Sequence, residues 1–164
     1  MFRTLILAGV ASLGLAGAAL AQQALPTPDF IKAAAQTDDF ERQEGRLAER
    51  AGANPGVRSF GAEMVSAHTK TTAALKAAIR KAGMPVPPPP PLTEDQANNL
   101  ATLRGLHGAA FDHAYIDQQI QAHRTALGVM QAYAAGGDNP VLKQAAADTV
   151  PIVQHHLAMA QALH

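Results

Sequence analysis

Apolar and small side chains recur every three to four positions along four stretches of the chain, the period of an amphipathic helix. Over residues 28–51 the repeating face carries Phe30, Ala33, Thr37, Phe40, Leu47 and Ala51. Over residues 55–82 it carries Val57, Phe60, Met64, His68, Leu75 and Ile79. A third stretch begins near Thr93, which with Gln96 resembles a capping box. Gly105-Leu106-His107-Gly108 interrupts it, and from Ala109 it resumes with Ile116, Ile120, His123, Leu127 and Met130. The fourth, over residues 140–163, carries Leu142, Ala145, Thr149, Ile152, His156 and Leu163, with Pro151 expected to bend it just before His156.

Two copies of Gly-x-Asn-Pro, at Gly52-Ala53-Asn54-Pro55 and Gly137-Asp138-Asn139-Pro140, separate consecutive stretches. Each supplies a glycine beyond one helix, an asparagine to cap the next and a proline at its first position. The chain is therefore read as two helical hairpins. Residues 83–92, with five consecutive prolines from Pro87 to Pro91, join them. As polyproline II this segment spans about 30 Å, enough for simple up-down order or for a ferritin-type crossover. A stiff connection is preferred over a ligand for a proline-recognising partner.

The N-terminus changes the picture of where this domain works. One early charge at Arg3, an apolar run to Leu20 and the Ala19-Leu20-Ala21 end predict a signal peptide over residues 1–21. Residues 22–164 then form one exported domain, periplasmic or secreted, with no stable membrane span after cleavage. The chain has no cysteine, so no disulfide braces it and no thiolate can act as nucleophile or metal ligand. Lysine and arginine balance aspartate and glutamate at 13 each and are scattered, which argues against nucleic-acid binding. Without tryptophan and with few aromatics, the core must come from closely packed small residues on helices.

Three histidines sit within these apolar faces. In a tight antiparallel hairpin, residues equally far from the turn oppose one another. His68 then faces the region of Asp39, a turn from Glu41, and His123 faces Ile152, a turn from His156. Both His68 and His123 stand roughly fourteen residues from their turns, ~21 Å along the axis, close to mid-height. Three imidazoles and one carboxylate can converge there, a set suited to zinc, copper, iron or nickel. For the carboxylate, height favours Glu41 and direction along the helix favours Glu44. Asp38, Glu41 and Glu44 equally describe a solvated acidic strip. Without a metal, each histidine would be neutral and hydrogen-bonded across helices, to Glu41, Thr72 or Gln119. His113 is a satellite candidate; His107, His155 and His164 are expected in solvent, and Asp112 with Tyr115 is a candidate polar pair.

Several chemistries lack their motifs. Neither Glu-x-x-His nor Asp-x-x-His occurs, against a standard di-iron oxidase. There is no nucleophile elbow, phosphate loop or dinucleotide fingerprint. No cysteine pair is present for covalent haem attachment.

Phe30-Ile31 through Ala34-Ala35, Glu41, Gly45-x-Leu47-Ala48, Phe60-x-x-x-Met64-Val65-x-x-His68-Thr69, Phe111-Asp112-x-x-Tyr115, His123 and Pro151-x-x-x-x-His156-Leu157 together resemble the bacterial domain of unknown function 4142 family. The resemblance implies an exported, ferritin-like four-helix domain of the periplasm or envelope, without an established activity. It places the family's recurrent glutamate at Glu41 and its histidines at His68, His123 and His156. Gln43 departs from it, where an acidic residue is common, as does the proline-rich segment. The expected fold is an all-α, ferritin-like antiparallel four-helix bundle of two hairpins. The expected function is non-catalytic transition-metal binding at Glu41, His68, His123 and His156, in metal handling or envelope stress protection, with an envelope protein or a second copy as partner. A structural module with a metal-free histidine cluster is the alternative, and a metal-dependent oxidase a weaker one.

Overall fold

The computed structural model describes residues 23–163, so the signal-peptide expectation for residues 1–21 and the expected exposure of His164 lie outside the described residues. The described chain is all-helical: α1 Thr27–Ala51, α2 Pro55–Lys81, α3 Glu94–Arg104, α4 Gly108–Gly136 and α5 Pro140–Leu163, with no strand among the described residues. None of these helices is long and apolar enough to cross a membrane.

The local signals act as the residue types require. Asn54 accepts a hydrogen bond from the Gly56 N–H at 2.8 Å, and Asn139 accepts from Val141 and Leu142 at 3.0 and 3.2 Å. Thr93 and Gln96 complete a reciprocal capping box on α3. The third periodic stretch divides into α3 and α4 at residues 105–107, and α4 opens on Gly108, whose φ of +61° suits glycine. α5 continues through Pro151. The carbonyl that loses its intrahelical partner there belongs to Ala147, an exposed residue that water can reach.

α1 packs on α2, α2 on α5, α5 on α4 and α4 back on α1, while α3 lies against α1 and α4. The α1–α2 contact is set by glycine. A Cβ on Gly45 would fall 2.6 Å from the Gly61 carbonyl oxygen, and one on Gly61 would fall 2.7 Å from the Gly45 oxygen. The two backbones approach as closely as they do because neither residue has a side chain. Two turns from this contact on each helix stand Asp38 and His68, which meet.

The core has two apolar clusters with a polar layer between them. One gathers Phe60, Met64, Phe111, Tyr115 and Ile116 with Ala160; the other gathers Phe30, Ile79, Tyr133 and Leu142. Apart from Thr27 and Asp112, the buried polar residues of the long helices fall between these clusters along the chain: Asp38, Glu41 and Glu44 on α1, His68 on α2, Gln119 and His123 on α4, His156 on α5. The segment joining α2 to α4 starts against the second cluster through Met84 and Val86 and ends against the first through Leu103 and Leu106. It therefore runs along the molecule, held on the way by the Gln36 amide donating to the Pro91 carbonyl at 2.7 Å.

Side chains from the opposite helix pair pin both tight turns. The Asp112 carboxylate of α4 accepts from the Ala53 and Asn54 N–H groups at 2.9 and 2.7 Å. Thr27 of α1 hydrogen-bonds Asp138 at 2.5 Å and also meets the Tyr133 hydroxyl. Asp112 is thus spent on a turn and does not pair with Tyr115, whose hydroxyl has no partner.

Candidate metal centre

His68, His123 and His156 come from three different helices and are 5%, 1% and 2% exposed. Their ring centroids form a nearly equilateral triangle with sides of 5.9, 5.6 and 5.4 Å. One ring nitrogen of each lies within 4.8 Å of the other two, an arrangement that can hold a metal ion.

Each ring is oriented so that one nitrogen is left free. His68 Nδ1 lies 2.9 Å from Asp38 Oδ1; a carboxylate only accepts, so Nδ1 carries the proton and Nε2 the lone pair. Asp38 is held in turn by the Thr71 hydroxyl at 2.7 Å and the Thr72 hydroxyl at 2.8 Å. Arg42 supports that shell from α1, donating to Thr72 at 2.6 Å and to the His68 carbonyl at 3.2 Å. His123 Nδ1 donates to the Gln119 backbone carbonyl at 2.8 Å, one turn earlier on α4, which again leaves Nε2 free. Buried and without any hydrogen-bond partner are His68 Nε2, His123 Nε2 and His156 Nδ1. Leaving buried ring nitrogens unpaired is costly, and here three rings each leave one so.

Burial pushes the His156 imidazole down to about 3, with the neighbouring His123, His68 and His155 rings adding in that order. His156 is therefore neutral at physiological pH, the form that donates a lone pair to a metal. A cleft of about 860 Å³ between α2 and α5 borders all three histidines. Its walls include several alanines, among them Ala67, Ala74, Ala78 and Ala145, and its lining includes Ile152, a large hydrophobic residue left 40% exposed.

The carboxylates are arranged differently from the expectation. Glu41 is buried at mid-height, but its Oε1 lies 3.9 Å from His123 Nδ1, the nitrogen already bonded to the Gln119 carbonyl. It stands behind His123, not among the converging nitrogens. Glu44 is also fully buried, and the Gln119 side-chain amide donates to both, at 2.6 Å to Glu41 and 2.8 Å to Glu44. The solvated acidic strip is thus excluded, since Asp38 is buried as well. Burial, then the Glu41 charge, pushes the Glu44 carboxyl well above the usual carboxylate range.

Thr72 does not bond the His68 ring: its hydroxyl, on the same helix, donates to the His68 backbone carbonyl at 2.8 Å and reaches the ring only through Asp38. His113, the satellite candidate, is exposed, as are His107 and His155. Asp38 is the residue that sequence reasoning missed as a partner. The hairpin arithmetic pointed one position away, at Asp39, which instead pairs with Arg42 at 2.9 Å. The signal that finds Asp38 is the Gly45–Gly61 contact, because the register it sets pairs 38 with 68.

No curated protein and no solved structure matches the chain. The family described as "Domain of unknown function (DUF4142)" matches residues 14–163, nearly the whole chain and every residue of the site. The chain belongs to the DUF4142 family.

Proposed function

We propose that this protein is an exported, ferritin-like antiparallel four-helix bundle that binds one transition-metal ion through His68, His123 and His156. Its role is metal handling or envelope stress protection in the periplasm. The observation that carries the metal reading is the set of three buried, unpartnered imidazole nitrogens facing a common centre. Two of the rings are backed by an acceptor on their other nitrogen, as metal-ligating histidines are. Zinc, copper, nickel and iron(II) all accept such a set, and its fourth position is left to water or a small ligand. Metal–nitrogen bonds of about 2.0–2.1 Å require the rings to draw together by about an ångström on loading. Glu41 contributes negative charge behind His123.

The bundle reading is supported by the order of the core clusters. α1 and α5 meet the Phe30 cluster first and α2 and α4 meet the Phe60 cluster first, so each neighbouring pair runs in opposite senses. The long connection between α2 and α4 is then a crossover of the ferritin type. Export rests on the signal-like residues 1–21.

Elemental analysis of the protein purified from the envelope fraction of its native host tests the reading. The expected result is about one transition-metal ion per chain. A second reading, a structural module with a metal-free histidine cluster, is favoured by the Asp38–Thr71–Thr72 network, which satisfies one side of His68 unaided. Metal-free protein that also fails to take up zinc, copper, nickel or iron would establish this second reading in place of the first.

A further inference from the structure

Two carboxylates, Glu41 and Glu44, are buried on successive turns of one face of α1, at 1% and 0% exposure. No lysine or arginine lies within ion-pair distance of either among the described residues. Two such charges side by side in a helical core are expensive unless something neutralises them. The facing side of α4 offers Tyr115 and Gln119, both fully buried and one turn apart, and the His123 imidazole, whose Nδ1 lies 3.9 Å from Glu41 and already donates to the Gln119 carbonyl.

Four oxygens of these side chains make no hydrogen bond: Glu41 Oε1, Glu44 Oε1, Gln119 Oε1 and the Tyr115 hydroxyl. A proton on one carboxyl can satisfy part of the glutamate pair. It does nothing for the Gln119 oxygen or for the hydroxyl. The Tyr115 hydroxyl is held protonated by burial, then by the Glu41, Glu44 and Glu49 charges, so it faces the carboxylates as a neutral oxygen.

We propose that Glu41, Glu44, Gln119 and Tyr115 form a second, all-oxygen site for a hard divalent cation such as manganese, magnesium or calcium, beside the Nδ1 edge of His123. Hard cations take carboxylate, amide and hydroxyl oxygens, whereas the histidine triad is all nitrogen, so the two sites select different metals. The Gln119 amide is the adaptable element. As it stands, its N–H groups hold the two carboxylates together at 2.6 and 2.8 Å. A half-turn of the amide exchanges nitrogen for oxygen at that point. Adjacent ligand oxygens around an octahedral cation bound at 2.0–2.1 Å are about 2.9 Å apart, close to the 2.6 and 2.8 Å between the Gln119 amide nitrogen and one oxygen of each carboxylate.

Manganese(II) titration followed by electron paramagnetic resonance tests the proposal, because the six-line signal of the free ion is lost on binding. Wild-type protein is expected to take up one manganese ion, and prior addition of one equivalent of zinc should leave that uptake unchanged. Glu44→Leu and Glu44→Gln should each weaken manganese binding roughly tenfold or more. Both variants replace a buried carboxyl that no lysine or arginine neutralises and should fold, which far-ultraviolet circular dichroism verifies. An undiminished free-ion signal up to about millimolar manganese overturns the proposal, as does uptake that survives both variants or that zinc abolishes. Zinc binding at the triad is scored separately, so failure of one site does not decide the other.

Discussion

Asp38 Oδ1 stands 2.9 Å from Nδ1 of His68, and the same oxygen accepts from the Thr71 hydroxyl at 2.7 Å. This pair fixes the His68 tautomer and aims its free Nε2 at the other two rings. Asp38→Asn should therefore weaken metal binding by about 10–100-fold, the usual consequence of disturbing a carboxylate behind a ligating histidine. Competition titration against a chromogenic chelator measures this. An unchanged affinity would show that the Asp38 contact does not tune the site.

The glycine contact that sets this register should be intolerant of a single methyl group. Gly45→Ala places a Cβ 2.6 Å from the Gly61 carbonyl oxygen, a backbone atom that cannot swing aside. The helices must separate, at a cost of about 1–3 kcal/mol in urea unfolding. The same displacement pulls Asp38 from His68, so metal affinity should fall together with stability.

The pH dependence of the metal-free protein should carry the mark of His156. Its folded-state value of about 3 lies below the ordinary 6.5, so between these limits the unfolded chain binds the extra proton. Stability is then greatest above pH 6.5 and declines as pH falls toward 3. Urea midpoints recorded across that range check this, and His156→Asn should flatten the slope.

Glu44 should act with the opposite sign. Its carboxyl is pushed well above the usual range, first by burial and then by Glu41. The folded state holds a proton that the unfolded state releases above about pH 4.5, so stability declines as pH rises above that value. Glu44→Leu removes this penalty, and in metal-free buffer it should stabilise the protein by about 1–3 kcal/mol at pH 7. Destabilisation of that size would show that the carboxyl is already satisfied.

Much of the fold was legible because its signals are local. The Asn54 and Asn139 caps, the Thr93 capping box and the break around Gly105 act over a few residues, and each stands where the sequence places it. The histidines were legible because a polar residue in an apolar helical face has to be accommodated. The carboxylates were not. Which of Asp38, Glu41 and Glu44 meets an imidazole depends on helix rotation, and rotation is set by Gly45 against Gly61, a contact between residues far apart in sequence. The role of Asp112 was hidden for the same reason, since the turn it holds belongs to the other helix pair. The path of the α2–α4 connection likewise depends on where Met84, Val86, Leu103 and Leu106 find apolar surface.

The central claim is that His68, His123 and His156 hold one metal ion. Thermal unfolding of metal-free protein, with and without zinc, copper, nickel or iron(II), tests it most directly. At a free metal concentration a hundred times the dissociation constant, the wild-type protein should gain about 2.7 kcal/mol, seen as a rise in melting temperature. The variant with all three histidines changed to alanine should show no such rise. A wild-type melting temperature that none of the four metals moves, or a rise that persists in the triple variant, would contradict it.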